Sequence, residues 1–306
     1  MEADPVSIVM CTYNGEPYIA QQLQTICGQT YRNLEIIIVD DCSTDNTWQL
    51  ITEFASRDQR IKAYRNAVNL GIARNFEKAC NLTSADFIAF SDQDDLWHPE
   101  KIERLMQFWP SEVQLVYCDT QRFHEHIDHL SGVPSKGYRR FEGHDIRKLA
   151  IFNTISGHSL ILKRELLKKI FPTPDTVYYD WKAAIAAACS GGVAYLPETL
   201  TFQRVHDHNA SISSELDIHS AENIAKFRCM VATHNKEFEK VNGLSTADAA
   251  FLHKLGKLME KTAFNTIFSW RLFVFLFANQ KWLFWQKQKK TAFFSRLKLC
   301  FRLSTI

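Results

Sequence analysis

The chain has 306 residues, 46% of them hydrophobic and 23% charged, with a formal net charge of +2. That length buries a sizeable core in one domain or in a domain with an extension, and so even a charge balance argues against nucleic acid as a partner. The eight cysteines are scattered without a CxxC pair, which reads as reduced thiols in a cytoplasmic protein, and Met1–Pro5 has no basic n-region, so no signal peptide is expected.

Between Val6 and Phe90, short β-type runs alternate with helix-length amphipathic segments. Strands are expected at Val6–Thr12, Leu34–Asp40, Ile61–Arg65 and Phe87–Phe90, and helices at Glu16–Cys27, Asp45–Ser56 and Gly71–Leu82, with Asp45 able to cap the second. This is the grammar of an α/β sheet, in which ligands bind at the carboxyl ends of the strands. A helix follows from Pro99 to about Trp109, then a strand at Val113–Cys118. The polar, His-rich stretch Arg122–Gly143 reads as a mobile loop or irregular hairpin. Further strands are expected at Ser159–Leu162 and Val193–Phe202, with a helix at Tyr179–Cys189 between them. Beyond Ser214 the pattern is helical throughout.

The strand ends carry the chemistry. Strand one ends in Cys11-Thr12-Tyr13-Asn14-Gly15 and strand two in Asp40-Asp41-Cys42-Ser43-Thr44-Asp45, both polar turns on the ligand edge. Asn69–Asn75 follows strand three, placing Gly71 at a tight turn and Arg74 where it can pair with a phosphate or a carboxylate. Strand four runs into Asp92-Gln93-Asp94-Asp95, three acids in four positions, whose mutual repulsion calls for a positive charge. A divalent cation held by hard oxygen ligands, magnesium or manganese, supplies one. The competing reading is an acidic turn that caps the next helix at Pro99.

After Glu260 there is no acidic residue, while Lys261, Arg271, Lys281, Lys287, Lys289, Lys290, Arg296, Lys298 and Arg302 are basic and are interleaved with aromatic residues. Arg271 and Lys281 interrupt this tail before it reaches the ~20 apolar residues of a spanning helix. It reads as a segment lying on an anionic membrane surface, against the alternative of helices packed on the sheet with a basic solvent face.

The runs Val6–Gly15, Ile38–Thr47 and Asp92–Trp97 together closely resemble family 2 glycosyltransferases of the GT-A fold. The similarity covers about the first two hundred residues, and Ile155–Ser159 with Arg204–Ser211 resembles the bacterial rhamnosyltransferase-type members. The resemblance implies a GT-A fold: a Rossmann-like, mixed, mostly parallel sheet flanked by helices. It would form a catalytic domain over residues 1–214, with residues 215–306 as a helical, basic and aromatic C-terminal extension. It further implies that Thr12, Asp41 and Arg74 contact the nucleoside or its surroundings, with Tyr13, Asn14 and Gln93 in the same nucleotide-sugar site. Asp92 would contact the ribose and Asp94 the Mn2+ or Mg2+ on the diphosphate. Asp95 either ligates the cation or caps a helix, and His206 or His208 is a late metal ligand. Asp180 matches the family's catalytic base, although Tyr179 replaces the usual preceding Glu. Gly157 would leave space for donor or acceptor sugar, and Trp181 would lie beside it.

The implied reaction is a single displacement that inverts the anomeric carbon. It moves a sugar from a UDP- or dTDP-linked donor to a glycan or lipid-linked acceptor in cell-surface polysaccharide synthesis, on the cytoplasmic face of a bacterial membrane. A metal-dependent phosphohydrolase or nucleotidyltransferase is the alternative enzyme. A phosphohydrolase needs a second acid where Cys42 stands, and a nucleotidyltransferase needs a Gly-rich basic loop that Thr12–Gly15 lacks. A non-catalytic nucleotide-sugar-binding relative would be free to lose Asp41, Asp92, Asp94 or Asp180.

Overall fold

The computed structural model describes residues 3–124, 127, 139–206, 220–263, 267–286 and 292–305. Among the described residues, eight strands form one sheet: β1 (Val6–Thr12), β2 (Leu34–Asp40), β3 (Ile61–Arg65), β4 (Phe87–Ser91), β5 (Leu96–Trp97), β6 (Leu115–Phe123), β7 (Leu160–Lys163) and β8 (Val193–Arg204). Their spatial order is β3-β2-β1-β4-β7-β6-β8-β5. The β3-β2-β1-β4 half is parallel throughout, β7 runs antiparallel to β4 and β6, β6 is parallel to β8, and β5 is antiparallel to β8. The chain order reverses beside β1, which places the crevice at the carboxyl ends of β1, β2 and β4. Pairing of Thr12 with Asp40, and of Asp40 with Arg65, brings three of the polar turns to one edge.

Helices α1 (Ile19–Cys27), α2 (Thr47–Arg57) and α4 (Lys101–Phe108) cover one face, and α3 (Ile72–Asn81) and α6 (Tyr179–Ser190) the other. The strand period of two sorts side chains between the faces: Val6, Ile8 and Met10 of β1 join one core while Val9 joins the other. In α1, Ile19, Leu23 and Ile26 recur at helical spacing and are buried. Helix α6 differs, because Trp181 and Ala183–Ala188 are all buried. It lies between the sheet and the C-terminal helices, so it has no polar face to display.

Those later helices are α7 (Ala221–Phe238), α8 (Thr246–Thr262), α9 (Trp270–Ala278), α10 (Gln280–Leu283) and α11 (Ala292–Ser304), with the single-turn α5 (Leu167–Ile170) preceding α6. Leu252, Leu255, Leu272, Leu276, Leu283, Phe284, Cys300 and Leu303 belong to the same core as α3, α6 and the sheet. The inner side of the tail is therefore packed on the α/β body. Buried Arg228 of α7 ties it together by donating to the carbonyls of Thr262 (2.7 Å), Leu303 (2.9 Å) and Thr305 (3.0 Å), the electronegative ends of α8 and α11.

Several boundaries differ from the sequence expectation. The β6 strand runs from Leu115 through Phe123, because β8 pairs with it as far as Arg204. Most of the expected Arg122–Gly143 loop lies outside the described residues, as does His208. Helix α4 starts at Lys101, not Pro99, since β5 and the turn after it occupy Leu96–Glu100. All eight cysteines are free thiols.

Candidate active site at the sheet edge

The turns after β1 and β2 are locked to each other. Thr12 Oγ1 donates to Asp40 Oδ1 (3.2 Å), Asn14 N to Ser43 Oγ (2.9 Å), and Asn14 Oδ1 accepts from Thr44 N (2.8 Å). Asn14 takes a left-handed φ of 48°, where a short amide side chain is tolerated. Asp41 is buried and organises the next turn: Oδ1 accepts from Asn66 Nδ2 (2.7 Å) and Leu70 N (2.8 Å), and Oδ2 accepts from Gly71 N (2.9 Å). Gly71 has φ 83°, a conformation that favours glycine. Gln93 spans from the acidic loop to strand one, accepting from Tyr13 N (2.9 Å) and donating to Tyr13 O (3.1 Å). Thr12 and Asp41 thus brace this wall of the crevice, while Tyr13 and Arg74 are exposed.

The acidic loop is graded in depth. Asp92 is the most exposed acid, Asp94 is mostly covered, and Asp95 is 1% exposed. His206 Nε2 lies 2.8 Å from Asp94 Oδ2, and its ring stacks on Tyr18 at 4.6 Å. Buried His158, just ahead of β7, places Nδ1 3.0 Å from both Asp92 Oδ2 and Asp95 Oδ2. Its hydrogen bond is to Asp92, which leaves Asp95 Oδ2 buried without a hydrogen bond among the described residues. The other oxygen of Asp95 accepts from Arg204 N (3.2 Å), and Arg204 Nε donates to the Asp94 carbonyl (3.1 Å).

Burial, reinforced by the neighbouring acids, pushes the Asp95 pKa up to about 7 despite His158, and it raises Asp94 as well. Burial opposes charging of His158, but Asp95 and Asp92 outweigh it and raise its pKa. Nearby Lys101 is fully buried, donates to the His158 carbonyl and sits 3.4 Å over the Trp97 ring. Desolvation lowers it to about 7.

These donors fit a divalent cation. One ligand atom each from Asp92, Asp95 and His158 lies within 4.8 Å of the others, and Asp95 Oδ2 is buried without a hydrogen bond among the described residues, with the His158 ring 3.0 Å away. His158 Nε2 is 3.3 Å from Thr120 Oγ1. A proton there leaves the Nδ1 lone pair facing the carboxylates, the form a cation needs. The helix-cap reading of this loop is corrected: β5 separates it from α4, and the Glu100 and Lys101 amides donate to His98 instead.

Asp180 stands in the first turn of α6, partly open to the crevice. Oδ2 accepts from Gly157 N (3.1 Å) and Oδ1 from Trp181 N (2.6 Å). Desolvation lifts its pKa to about 6, with Asp92 adding to the rise and the two amides and His158 opposing it. Two expectations are overturned beside it. The space over Gly157 is already filled, since a Cβ there would meet Tyr179 Oη at 2.4 Å. Gly157 admits Tyr179, not a sugar. Trp181 is 2% exposed and points into the core, its Nε1 donating to Leu149 O (2.6 Å), so it is a packing residue.

The Glycosyl transferase family 2 model matches residues 7–171, more than half of the chain. The chain belongs to this family. As a family 2 member it is 27% identical over 227 residues to an uncharacterized glycosyltransferase of Nostoc sp., covering 68% of this chain and 67% of that one. It is 29% identical over 232 residues to the Escherichia coli UDP-Glc:alpha-D-GlcNAc-diphosphoundecaprenol beta-1,3-glucosyltransferase WfaP, covering 75% and 88%. Its fold matches that of Staphylococcus aureus TarS 1–349 in complex with UDP-GlcNAc, with a TM-score of 0.62 over 97% of this chain and 89% of the other, at 16% identity. It also matches the mannosyltransferase PcManGT from Pyrobaculum calidifontis in complex with GDP-Man and Mn2+, with a TM-score of 0.55 over 86% and 73%, at 19% identity. The GT-A architecture expected from the sequence is the one observed.

The sequence of this family 2 chain gives His158, Lys101, Arg204 and Tyr18 no role of their own. A histidine between Gly157 and Ser159 at a strand entry was the available signal for the first. Nothing in the pattern marks Lys101 as buried.

Proposed function

We propose that the chain is an inverting, metal-dependent glycosyltransferase. It would move a sugar from a UDP- or dTDP-linked donor to a hydroxyl of a lipid-linked oligosaccharide or glycan in cell-surface polysaccharide synthesis. One observation carries this reading: adjacent residues of a single turn hold the two halves of the chemistry. Gly157 N–H donates to Asp180, and the His158 ring meets Asp92 and Asp95. A proton acceptor and an acidic, cation-seeking loop are thereby fixed beside each other at the sheet edge.

In this reading Tyr13, Asn14, Gln93 and Arg74 receive the nucleotide on the wall that Thr12 and Asp41 brace, and Asp92 meets the ribose. Asp94 with His206, and Asp95 with His158 and the Asp92 oxygen that faces it, would hold Mn2+ or Mg2+. Bound there, the cation supplies Lewis-acid neutralisation of the diphosphate leaving group. Asp180 takes the proton of the acceptor hydroxyl as its oxygen bonds the anomeric carbon. The bond from that carbon to the diphosphate oxygen breaks on the opposite side, inverting the configuration. Partial desolvation of Asp180 suits it to this task near neutral pH.

The donors in the TarS and PcManGT complexes support a nucleotide-sugar substrate, and the acceptor named for WfaP supports a diphosphoundecaprenyl-linked one. Such an acceptor would have the enzyme work peripherally on the inner face of the cell membrane. Turnover of candidate UDP- and dTDP-sugars with a diphosphoundecaprenyl-linked acceptor and Mn2+ tests it. Acceptor-dependent release of nucleoside diphosphate, lost in Asp94→Ala, is expected. Release that ignores the acceptor would indicate a hydrolase and overturn the proposal.

A further inference from the structure

Thirteen large apolar side chains are well exposed among the described residues, and seven of them come from the tail: Ile267, Trp270, Val274, Phe277, Phe293, Phe294 and Phe301. They are not scattered singly, as exposed apolar residues usually are. Ring contacts, through Phe268 and Phe273, link five of them into one strip. Trp270 meets Phe268 at 5.0 Å, Phe268 meets Phe301 at 5.9 Å, and Phe301 meets Phe273 at 4.6 Å. Phe273 stacks on Phe277 at 5.9 Å, Phe277 meets Phe293 at 6.4 Å, and Phe293 meets Phe294 at 5.6 Å. Helices α9 and α11 bury one face each, Leu272 with Leu276 and Cys300 with Leu303, so the fold has no use for the opposite face.

The charge around the strip selects its occupant. Every charged side chain after Glu260 in the sequence is basic, and six of them, Lys261, Arg271, Lys281, Arg296, Lys298 and Arg302, are among the described residues. A second copy of the chain would bring two such basic tails together and pay their repulsion. An anionic leaflet instead takes the aromatic rings into its headgroup and acyl boundary and the basic side chains onto its phosphates. No described helix is long and apolar enough to cross a bilayer, so the strip would lie in the interface.

We infer that the outer face of α9 and α11, Trp270 through Phe301, is a docking surface for an anionic lipid leaflet. The inference rests in part on the lipid-linked acceptor reading, because docking would keep the enzyme at the membrane where that acceptor lies. Docking uses aromatic insertion and charge together, each lysine or arginine at a charged leaflet contributing roughly fivefold in affinity.

Flotation of the full chain with phosphatidylglycerol vesicles and with phosphatidylcholine vesicles tests it, using wild type, a Trp270→Ser/Phe294→Ser variant and an Arg271→Gln/Lys281→Gln variant. All four side chains are at the surface of the tail and outside the crevice, and unchanged thermal melting verifies that each variant folds. Wild type should bind the anionic vesicles at least tenfold better than the neutral ones, and either variant should lose most of that binding. Equal binding to both vesicle types, no binding, or full binding by the serine variant would overturn the surface, as would a salt-sensitive dimer that forms through it. Turnover with the diphosphoundecaprenyl acceptor in detergent separates the two ideas. Vesicle binding without turnover leaves the docking surface standing and rejects the acceptor, whereas turnover without vesicle binding does the reverse.

Discussion

Asp180 offers the most direct test of the chemistry, because its environment fixes both the size and the direction of a pH effect. Burial raises its pKa to about 6, well above the ordinary aspartate value, and only the ionised form can accept the acceptor's proton. About nine-tenths of it is then ionised at pH 7 and about one-tenth at pH 5, so kcat/KM should fall roughly tenfold between them with a slope approaching one. An aspartate at its unperturbed value would still be mostly ionised at pH 5 and would lose little. The assay is nucleoside diphosphate release across pH 5 to 8, with the metal raised at each pH until the rate stops responding, so that loss of cation does not imitate loss of base. Asp180→Asn should fall by roughly 10²–10⁴ and lose the acid limb.

Stability runs the other way. A folded pKa raised above the unfolded one stabilises the protein below the unfolded value, and that contribution is lost as pH rises through about 6. The asparagine variant should therefore melt no lower than wild type by that term, which separates a lost base from a lost fold. A flat wild-type profile between pH 5 and 7, or a variant that keeps a tenth of the activity, would refute the assignment.

Three other outcomes follow from particular contacts. His158→Ala removes the imidazole shared by Asp92 and Asp95, and the metal concentration for half-maximal activity should rise about 10–100-fold in a Mn2+ titration. Trp181→Phe deletes the buried bond to Leu149 O, so chemical denaturation should show a loss of about 1–3 kcal/mol while KM for donor and acceptor stays unchanged; a KM shift alone would return Trp181 to the sugar site. Arg228→Met strands the carbonyls of Thr262, Leu303 and Thr305, and should cost about 3 kcal/mol or more in the same measurement, with unchanged stability arguing against its role in holding α8 and α11.

The strands were legible wherever local pattern governs them. Val6–Thr12, Leu34–Asp40 and Ile61–Arg65 have the expected bounds; the first two are the near-continuous apolar runs closed by polar turns that strands covered on both faces require, and the third is a short, largely exposed edge strand. The edge strand β5 was hidden, since Leu96 and Trp97 become a strand only by pairing with Thr201 and Phe202 more than a hundred residues later. Composition left the tail open between lying on a membrane and packing on the sheet, and the structure packs its inner side on the body. Nor could composition divide Leu272 from Trp270 until α9 was seated on the body.

The amino-acid sequence by itself determined which chemistry gathers at the sheet edge: the register of short strands delivers Thr12, Asp41 and the Asp92–Asp95 cluster to one side whatever covers the rest. Tertiary structure decided what each group does there. It sank Asp95 beneath Asp92 and set His158 between them, turned Trp181 into the core, and filled the space over Gly157 with Tyr179. The reason is that strand alternation and turn preference act within a few residues, whereas the direction a side chain of α6 or of the β4–β5 loop faces is fixed by partners brought from β7, β8 and the C-terminal helices.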